Sequence, residues 1–334
     1  MRNSNEQKHP YVRRALIIAL FMACIVLGNV ILNYAFIPYS YVKVDYNTAY
    51  NESHDIVFIG TSHGKCGIQT DVIDEITGSK SVNMCLGGEY LSASYYMLKS
   101  IIEQHKPKKV VYELDYGYWV TDEYTGTDST LIYRNMRFSP AKLECFMDKE
   151  ANKDFRTICF PWYVFRKEYK MIPKNIENKW NGIEKSCDIS AFASEAQYYK
   201  DGGSIYRNPV ADSAKNWTNF IVWNRDKVVK DTKKYFGKLV KLCKDNNVEL
   251  SVVITPVSND TLEKYSTEYK DCDEYFRELS ESYNVDYINY NYEEVEGLDR
   301  SIKGYCDYEG HLTGENALIF SKVLGEYLRY LLYD

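Results

Sequence analysis

Short apolar runs recur at 55–59, 81–85, 109–114, 248–255 and 285–290, and stretches with apolar residues at helical spacing stand between most of them. The helix-period stretches lie at 70–76, 91–105, 226–245, 262–283 and 316–332. A strand covered on both faces reads as a nearly continuous apolar run, whereas the helix covering it needs only one apolar stripe. Alternation of the two predicts an α/β fold, a parallel sheet with helices on both faces and right-handed crossovers. Sites in such folds form at the carboxyl ends of the strands. Residues 116–225 break the rhythm. They hold Trp119, Trp162, Trp180, Trp217 and Trp223 among many tyrosines. This aromatic-rich insertion is expected to form either a lid or substrate-binding lobe, or extra helices packed on the core.

The run 15–37 is apolar except at Gly28, Asn29, Asn33 and Tyr34. That is close to the ~20 residues a helix needs to cross hydrocarbon. Lys8, Arg13 and Arg14 precede it, which places the N-terminus in the cytoplasm and the rest outside. A cleaved signal peptide is the rival, but the run is long and no small-x-small site follows it cleanly. A lipoprotein signal ending at Cys24 would have Phe21 where a small aliphatic belongs. The expected layout is a cytoplasmic tail at 1–14, a transmembrane anchor at 15–37, a juxtamembrane linker at 38–54, and an extracytoplasmic domain at 55–334 with the insertion at 116–225. This describes a single-pass protein of the cell membrane.

At 334 residues the chain can bury one sizeable core, or a core with an added lobe. A net charge of −6 and the lack of a Lys/Arg stripe with interleaved aromatics argue against a nucleic-acid partner. The 32 tyrosines suit contact with sugar rings, though composition bias accounts for them equally. Nine scattered cysteines with no CxxC form neither a disulfide framework nor a zinc site. With no metal-ligand spacing and no Gly-rich phosphate loop, neither metal nor cofactor is expected.

The chemistry concentrates in two places. The run Ile56-Val57-Phe58-Ile59 ends in Gly60-Thr61-Ser62-His63, and Asp307 to His311 open the last helical stretch. A serine at the exit of a buried strand has its hydroxyl free of the sheet, and the following helix can direct N–H groups at an oxyanion. Ser62 is the candidate nucleophile, although the same residue could simply cap a helix. His311 is the candidate base and Asp307 the candidate orienter, with Glu309 its nearer rival in sequence. The chain order Ser…Asp…His serves nucleophilic acyl transfer on more than one fold. His63 is expected to point away from Ser62 while still able to line the pocket. His54 and His105 sit in polar surroundings. Cys66 lies near Ser62 but not at the strand exit. Asn83, Gly87 and Gly88 form a second loop whose N–H groups could approach a substrate oxygen. Glu113 and Asp115 end the central strand, where they could bind substrate hydroxyls or an amine, or cap the next segment.

These segments resemble the SGNH/GDSL hydrolase superfamily. Gly60-Thr61-Ser62-His63 is similar to its first block, with Thr61 where that block has Asp. Gly87 matches the glycine of the second block. Asp307-Tyr308-Glu309-Gly310-His311-Leu312 resembles the last, usually Asp-x-x-His. The resemblance spans roughly 55–115 and 245–334, and it implies a flavodoxin-like sheet, a serine nucleophile and a histidine base. Two departures stand out. Asp307 precedes His311 by four residues rather than three, and the Gly-x-Asn-Asp block is missing. An oxyanion hole would then rest on the N–H groups of Ser62 and Gly87, and loss of one donor typically costs about 10²–10³ in rate. One anchor plus an outside domain is similar to D-alanyl transfer proteins of lipoteichoic acid and to accessory proteins of polysaccharide O-acetylation. Those proteins work beside a membrane-bound O-acyltransferase. The resemblance thus implies an anchored serine O-acyltransferase or esterase acting on a surface glycan or teichoic-type polymer. The alternatives are a sugar-ester deacetylase and a non-catalytic glycan-binding or assembly partner.

Overall fold

The computed structural model describes residues 9–123, 126–151 and 153–333. Residues 1–8, most of the expected cytoplasmic tail, lie outside them. The described chain divides into two compact units.

One unit joins the residues through Tyr39 to Met147–Ser186. Its main element is α1 (His9–Phe36), whose stretch from Pro10 is long and apolar enough to cross a membrane and is not buried by protein. Residues 161–180, which include the helix Ile172–Trp180, pack against α1. The 116–225 insertion is therefore not one lobe. Its middle belongs with the apolar N-terminal helix, a partnership no local pattern announces.

The other unit carries the sheet. It begins with α2 (Tyr41–Asn51), where a linker was expected. Val42, Val44, Tyr46, Ala49 and Tyr50 are buried on this helix. The tyrosines read as polar in sequence but bury their rings here, and the Tyr50 hydroxyl pairs with that of Ser100 (2.9 Å). Then follow β1 (Ile56–Ile59), α3 (Ser62–Gly67), α4 (Thr70–Thr77), β2 (Ser81–Asn83), α5 (Leu91–Ile102) and β3 (Lys109–Glu113). The short helices Thr127–Asn135 and Pro140–Cys145 come next, and after Cys187 a small antiparallel hairpin of β4 (Gln197–Tyr199) and β5 (Ile205–Arg207). The chain ends with α6 (Lys230–Asp245), β6 (Glu249–Ile254), α7 (Ser266–Tyr283), β7 (Asp286–Asn289) and α8 (Gly314–Tyr333).

The five-stranded sheet has order β2-β1-β3-β6-β7, all parallel. This is the flavodoxin-like order 2-1-3-4-5. Every residue of β1 and β3 is buried, as helices on both faces require. One face packs on α8 through Ala317, Phe320, Leu324 and Leu328, which spring from one side of that helix and meet Ile56, Phe58 and Ile73. Trp119, fully buried, lies between the rings of Phe236 (5.6 Å) and Phe276 (4.8 Å) and donates its indole N–H to Tyr112 Oη (3.0 Å). Because the strands are parallel, the segments after β1, β3, β6 and β7 all emerge at one edge.

Candidate active site

The turn between β1 and α3 is held by backbone geometry that only glycine meets. Gly60 has φ +143°, and a Cβ there would lie 2.3 Å from the Glu113 carbonyl oxygen. Thr61 caps α3, its Oγ1 accepting from the His63 N–H (3.3 Å). The Thr61 N–H (2.8 Å) and hydroxyl (3.0 Å) both donate to Glu113 Oε2. Glu113 is fully buried, and burial pushes its carboxyl up, with Asp115 adding to the effect and His63 opposing it. Glu113 is therefore a brace under the turn and is not open to substrate, contrary to the expectation from sequence. The Thr61 hydroxyl can donate to this carboxyl group, whereas an aspartate at the same place would press a second acid against it.

Ser62 opens α3, and its Oγ donates to His311 Nε2 (2.7 Å). His311 Nδ1–H donates to Asp307 Oδ2 (2.8 Å). A carboxylate can only accept, so this contact sets the tautomer that leaves Nε2 free to accept from the serine. The four-residue spacing is absorbed by a tight loop. Asp307 Oδ1 accepts from the N–H groups of Glu309 (3.1 Å), Gly310 (3.1 Å) and His311 (3.2 Å), and Gly310 adopts φ +118°. The loop is pinned by the Tyr305–Leu312 bridge and by the Cys306 N–H donating to the His311 carbonyl (2.7 Å). Burial acts to raise the Asp307 carboxyl, but the hydrogen bond and charge of His311 outweigh it and hold the group well below the usual carboxylate range. Arg207 Nη1 stands 3.8 Å from Asp307 Oδ2, the oxygen that accepts from His311.

Glu309 does not meet the imidazole edge that Asp307 occupies; it lines a cavity that meets the site through His63, and neither Ser62 nor His311 is among the residues that line it. The cavity measures about 360 Å³. Its wall combines Tyr116, Tyr118, Phe220 and Tyr269 with Asp115 and Asn291, and none of its lining residues is Lys or Arg. His63 also lines it, its ring 4.4 Å from that of His311 in an edge-on contact and its Nδ1 3.5 Å from Asp115 Oδ2. Asp115 turns its other oxygen to the Gly117 N–H (2.8 Å).

The second loop divides its roles. Gly87 lies against Ser62, where an added Cβ would be 3.7 Å from the serine Cβ. Gly88 takes φ +71° and faces Asp128 rather than the serine. Asn83 is fully buried and does not reach the cavity: its amide donates to the carbonyls of Gly64 (2.9 Å) and Ile68 (3.0 Å), and its oxygen accepts from the Cys85 N–H (3.0 Å). Asn83 therefore locks α3 to β2. Cys66 is buried, with its thiol pushed up to about 12 by desolvation, which makes it a poor nucleophile. Among the described residues no group of His, Cys, Asp and Glu is placed to hold a metal ion.

Sequence reasoning missed Tyr41, whose hydroxyl lies against the Gly87 backbone and is pushed up by burial. It also missed Arg207 and the wall residues 219–221. Trp217 supplied the available signal for that wall: its ring stacks on Tyr308 at 4.1 Å, and Phe220 stacks on Tyr265 at 4.5 Å. Part of the aromatic insertion thus borders the cavity.

Fold and site together define a class, a flavodoxin-like α/β protein carrying serine, histidine and aspartate in hydrogen-bonded series at the carboxyl edge of its sheet. No family model matches the chain, and no curated protein matches it. Among solved structures it is similar to a protein of Bacteroides fragilis NCTC 9343 described as a "putative acylhydrolase", at 11% identity and a TM-score of 0.41, over 87% of this chain and 95% of that one.

Proposed function

We propose that the protein is a membrane-anchored, extracytoplasmic serine acyl-transfer enzyme of SGNH type. One observation carries this reading, the continuous series Ser62 Oγ, His311 Nε2, His311 Nδ1, Asp307 Oδ2 with both contacts below 3 Å. Ser62 Oγ attacks an ester or thioester carbonyl carbon while His311 takes its proton. The tetrahedral oxyanion faces the N–H groups at Ser62 and Gly87. Collapse expels the leaving group, which takes the proton from His311, and leaves an ester on Ser62. A hydroxyl acceptor then loses its proton to His311 and attacks that ester, restoring the serine. Water in the same place gives hydrolysis.

The cavity favours a glycan over a teichoic-type polymer as acceptor. Aromatic walls suit sugar faces, and Asp115, Asn291 and Glu309 suit hydroxyls. A phosphate would meet carboxylates with no lining cation, and like charges at close range repel. The membrane anchor and the transfer reaction together suit work beside a membrane-bound O-acyltransferase. A non-catalytic role is the second reading, and it is favoured by the segment that leaves β3, Glu113-Leu114-Asp115, which carries no Asn to donate to an oxyanion.

Labelling with a fluorophosphonate separates the two. The wild type reacts, and Ser62→Ala and His311→Ala lose reaction to a comparable degree because the pair acts as a unit. Asp307→Asn lowers it by roughly 10⁴. An unlabelled wild type would favour the non-catalytic reading. Turnover of p-nitrophenyl acetate rises on adding a neutral oligosaccharide and not on adding polyglycerol phosphate; the reverse order would return the teichoic-type acceptor.

A further inference from the structure

The segment 155–180 is tied to the last turns of α1 by polar contacts. Asn29 Nδ2 donates to the Cys159 carbonyl (3.0 Å), and the Trp162 N–H donates to Asn33 Oδ1 (3.0 Å). Asn33 Nδ2 in turn donates to Asn29 Oδ1 (3.3 Å). Asn175 Nδ2 donates to the carbonyls of Ala35 (3.2 Å) and Phe36 (3.1 Å), and Lys179 Nζ donates to those of Tyr34 (2.9 Å) and Ile37. The final carbonyls of a helix have no partner within it, and leaving them bare in hydrocarbon is costly. This segment supplies those partners.

The depth of the contacts follows from helix geometry. With Arg13 and Arg14 at one boundary, a hydrocarbon layer of about 30 Å ends roughly 20 residues later, near Tyr34. Asn33 then lies at the outer boundary and Asn29 about 6 Å inside it. Cys159 and Trp162 reach the same depth, because they bond to those two side chains. The surface of the segment fits that position. Trp180 is 83% exposed and Phe155 68%, with Tyr169 and Met171 also open. Lys167, Lys170, Lys174 and Lys185 are exposed. Residues 147–186 carry nine Lys and Arg against six Asp and Glu, whereas the whole chain has net charge −6.

Resting on the reading that α1 spans the membrane, we propose that residues 155–180 form an interfacial belt docked on the outer leaflet. Phe155 and Trp180 lie at the acyl-chain boundary and the exposed lysines among anionic lipid headgroups. Amphipathic aromatics and basic side chains are the residues that settle at this interface.

The test uses the full-length protein in vesicles of phosphatidylcholine and phosphatidylglycerol with brominated acyl chains. Bromine quenches tryptophans that touch the chains. Trp180→Phe should remove a quenchable component near one fifth of the emission, since Trp180 is one of five tryptophans and aromatic belts sit at this depth. Its high exposure means the substitution removes little protein contact. Lys167→Glu with Lys170→Glu and Lys174→Glu should at least halve that component in anionic vesicles. An unchanged quenched fraction in Trp180→Phe would overturn the belt, and insensitivity to the lysine reversals would overturn its headgroup contacts. Alkaline carbonate extraction separates the two layers of the argument. Release of the wild type would overturn the spanning helix and the belt together, whereas retention with an unquenched Trp180 would overturn the belt alone.

Discussion

Gly60 and Glu113 show how single residues hold the nucleophile turn. A methyl group at Gly60 meets the Glu113 carbonyl oxygen at 2.3 Å and its Cβ at 2.8 Å, at a φ that L-residues rarely take. Gly60→Ala is expected to cost roughly 3 kcal/mol, read by urea unfolding, because neither backbone can yield without moving the sheet. Glu113 carries the opposite lesson. Its carboxyl is raised by burial above the ordinary value of 4.5. Its contribution to stability is full below that value and is lost as pH rises through the raised one, when a buried charge must form. Glu113→Gln keeps an oxygen for Thr61 and has no proton to lose. The stability of the variant relative to wild type should therefore rise as pH climbs above 4.5, measured as the difference in unfolding free energy. A difference that does not change with pH above 4.5 would contradict a raised Glu113 carboxyl. Ser62, His311 and Asp307 were legible as residue types in chain order. Asn83 and Glu113 were legible only as polar residues at strand ends, because the direction of a side chain there depends on what packs above it.

Between elements, α2 and α3 are joined by a buried ion pair. Lys65 Nζ lies 2.8 Å from Asp45 Oδ2 and 3.0 Å from the Asn83 carbonyl, and the Tyr199 hydroxyl donates to the other Asp45 oxygen. Lys65 and Asp45 are both nearly inaccessible to solvent. Burial raises the Asp45 carboxyl, and Lys65 counters it. Lys65→Met strands that carboxylate and should destabilise by about 3–5 kcal/mol, whereas Lys65→Met with Asp45→Leu should recover most of the loss. A double-mutant cycle in urea reads both, and a double variant no better than the single would contradict the pairing. The cluster also explains why residues 38–54 looked like a linker. Their polar side chains are matched by partners 20 to more than 150 residues away, and nothing local reveals such a match. By contrast, α8 was plain, because Ala317, Phe320, Leu324 and Leu328 repeat at helical spacing.

For the whole molecule, the division into two units is the feature with consequences. The segment 147–186 has α1 as its packing partner. Removing residues 1–39 should expose that segment to protease while Ser62 continues to react with a fluorophosphonate. Cleavage sites mapped by mass spectrometry should fall within 147–186, and cleavage spread through the sheet strands instead would show that the units are not separable.

The alternation of apolar runs and amphipathic stretches determined the parallel sheet by itself, since strand and helix periods are properties of neighbouring residues. The same holds for the long apolar helix and for the two clusters of polar residues that bracket the chain. Only the tertiary structure decided that Ser62 and His311, 249 residues apart, come within 2.7 Å. It alone turned Asp307 rather than Glu309 to the imidazole, gave Glu309 to the cavity, and divided the aromatic insertion between a cavity wall and the end of α1. These outcomes depend on which surfaces are left to bury once the sheet has closed, and that is a property of the folded chain.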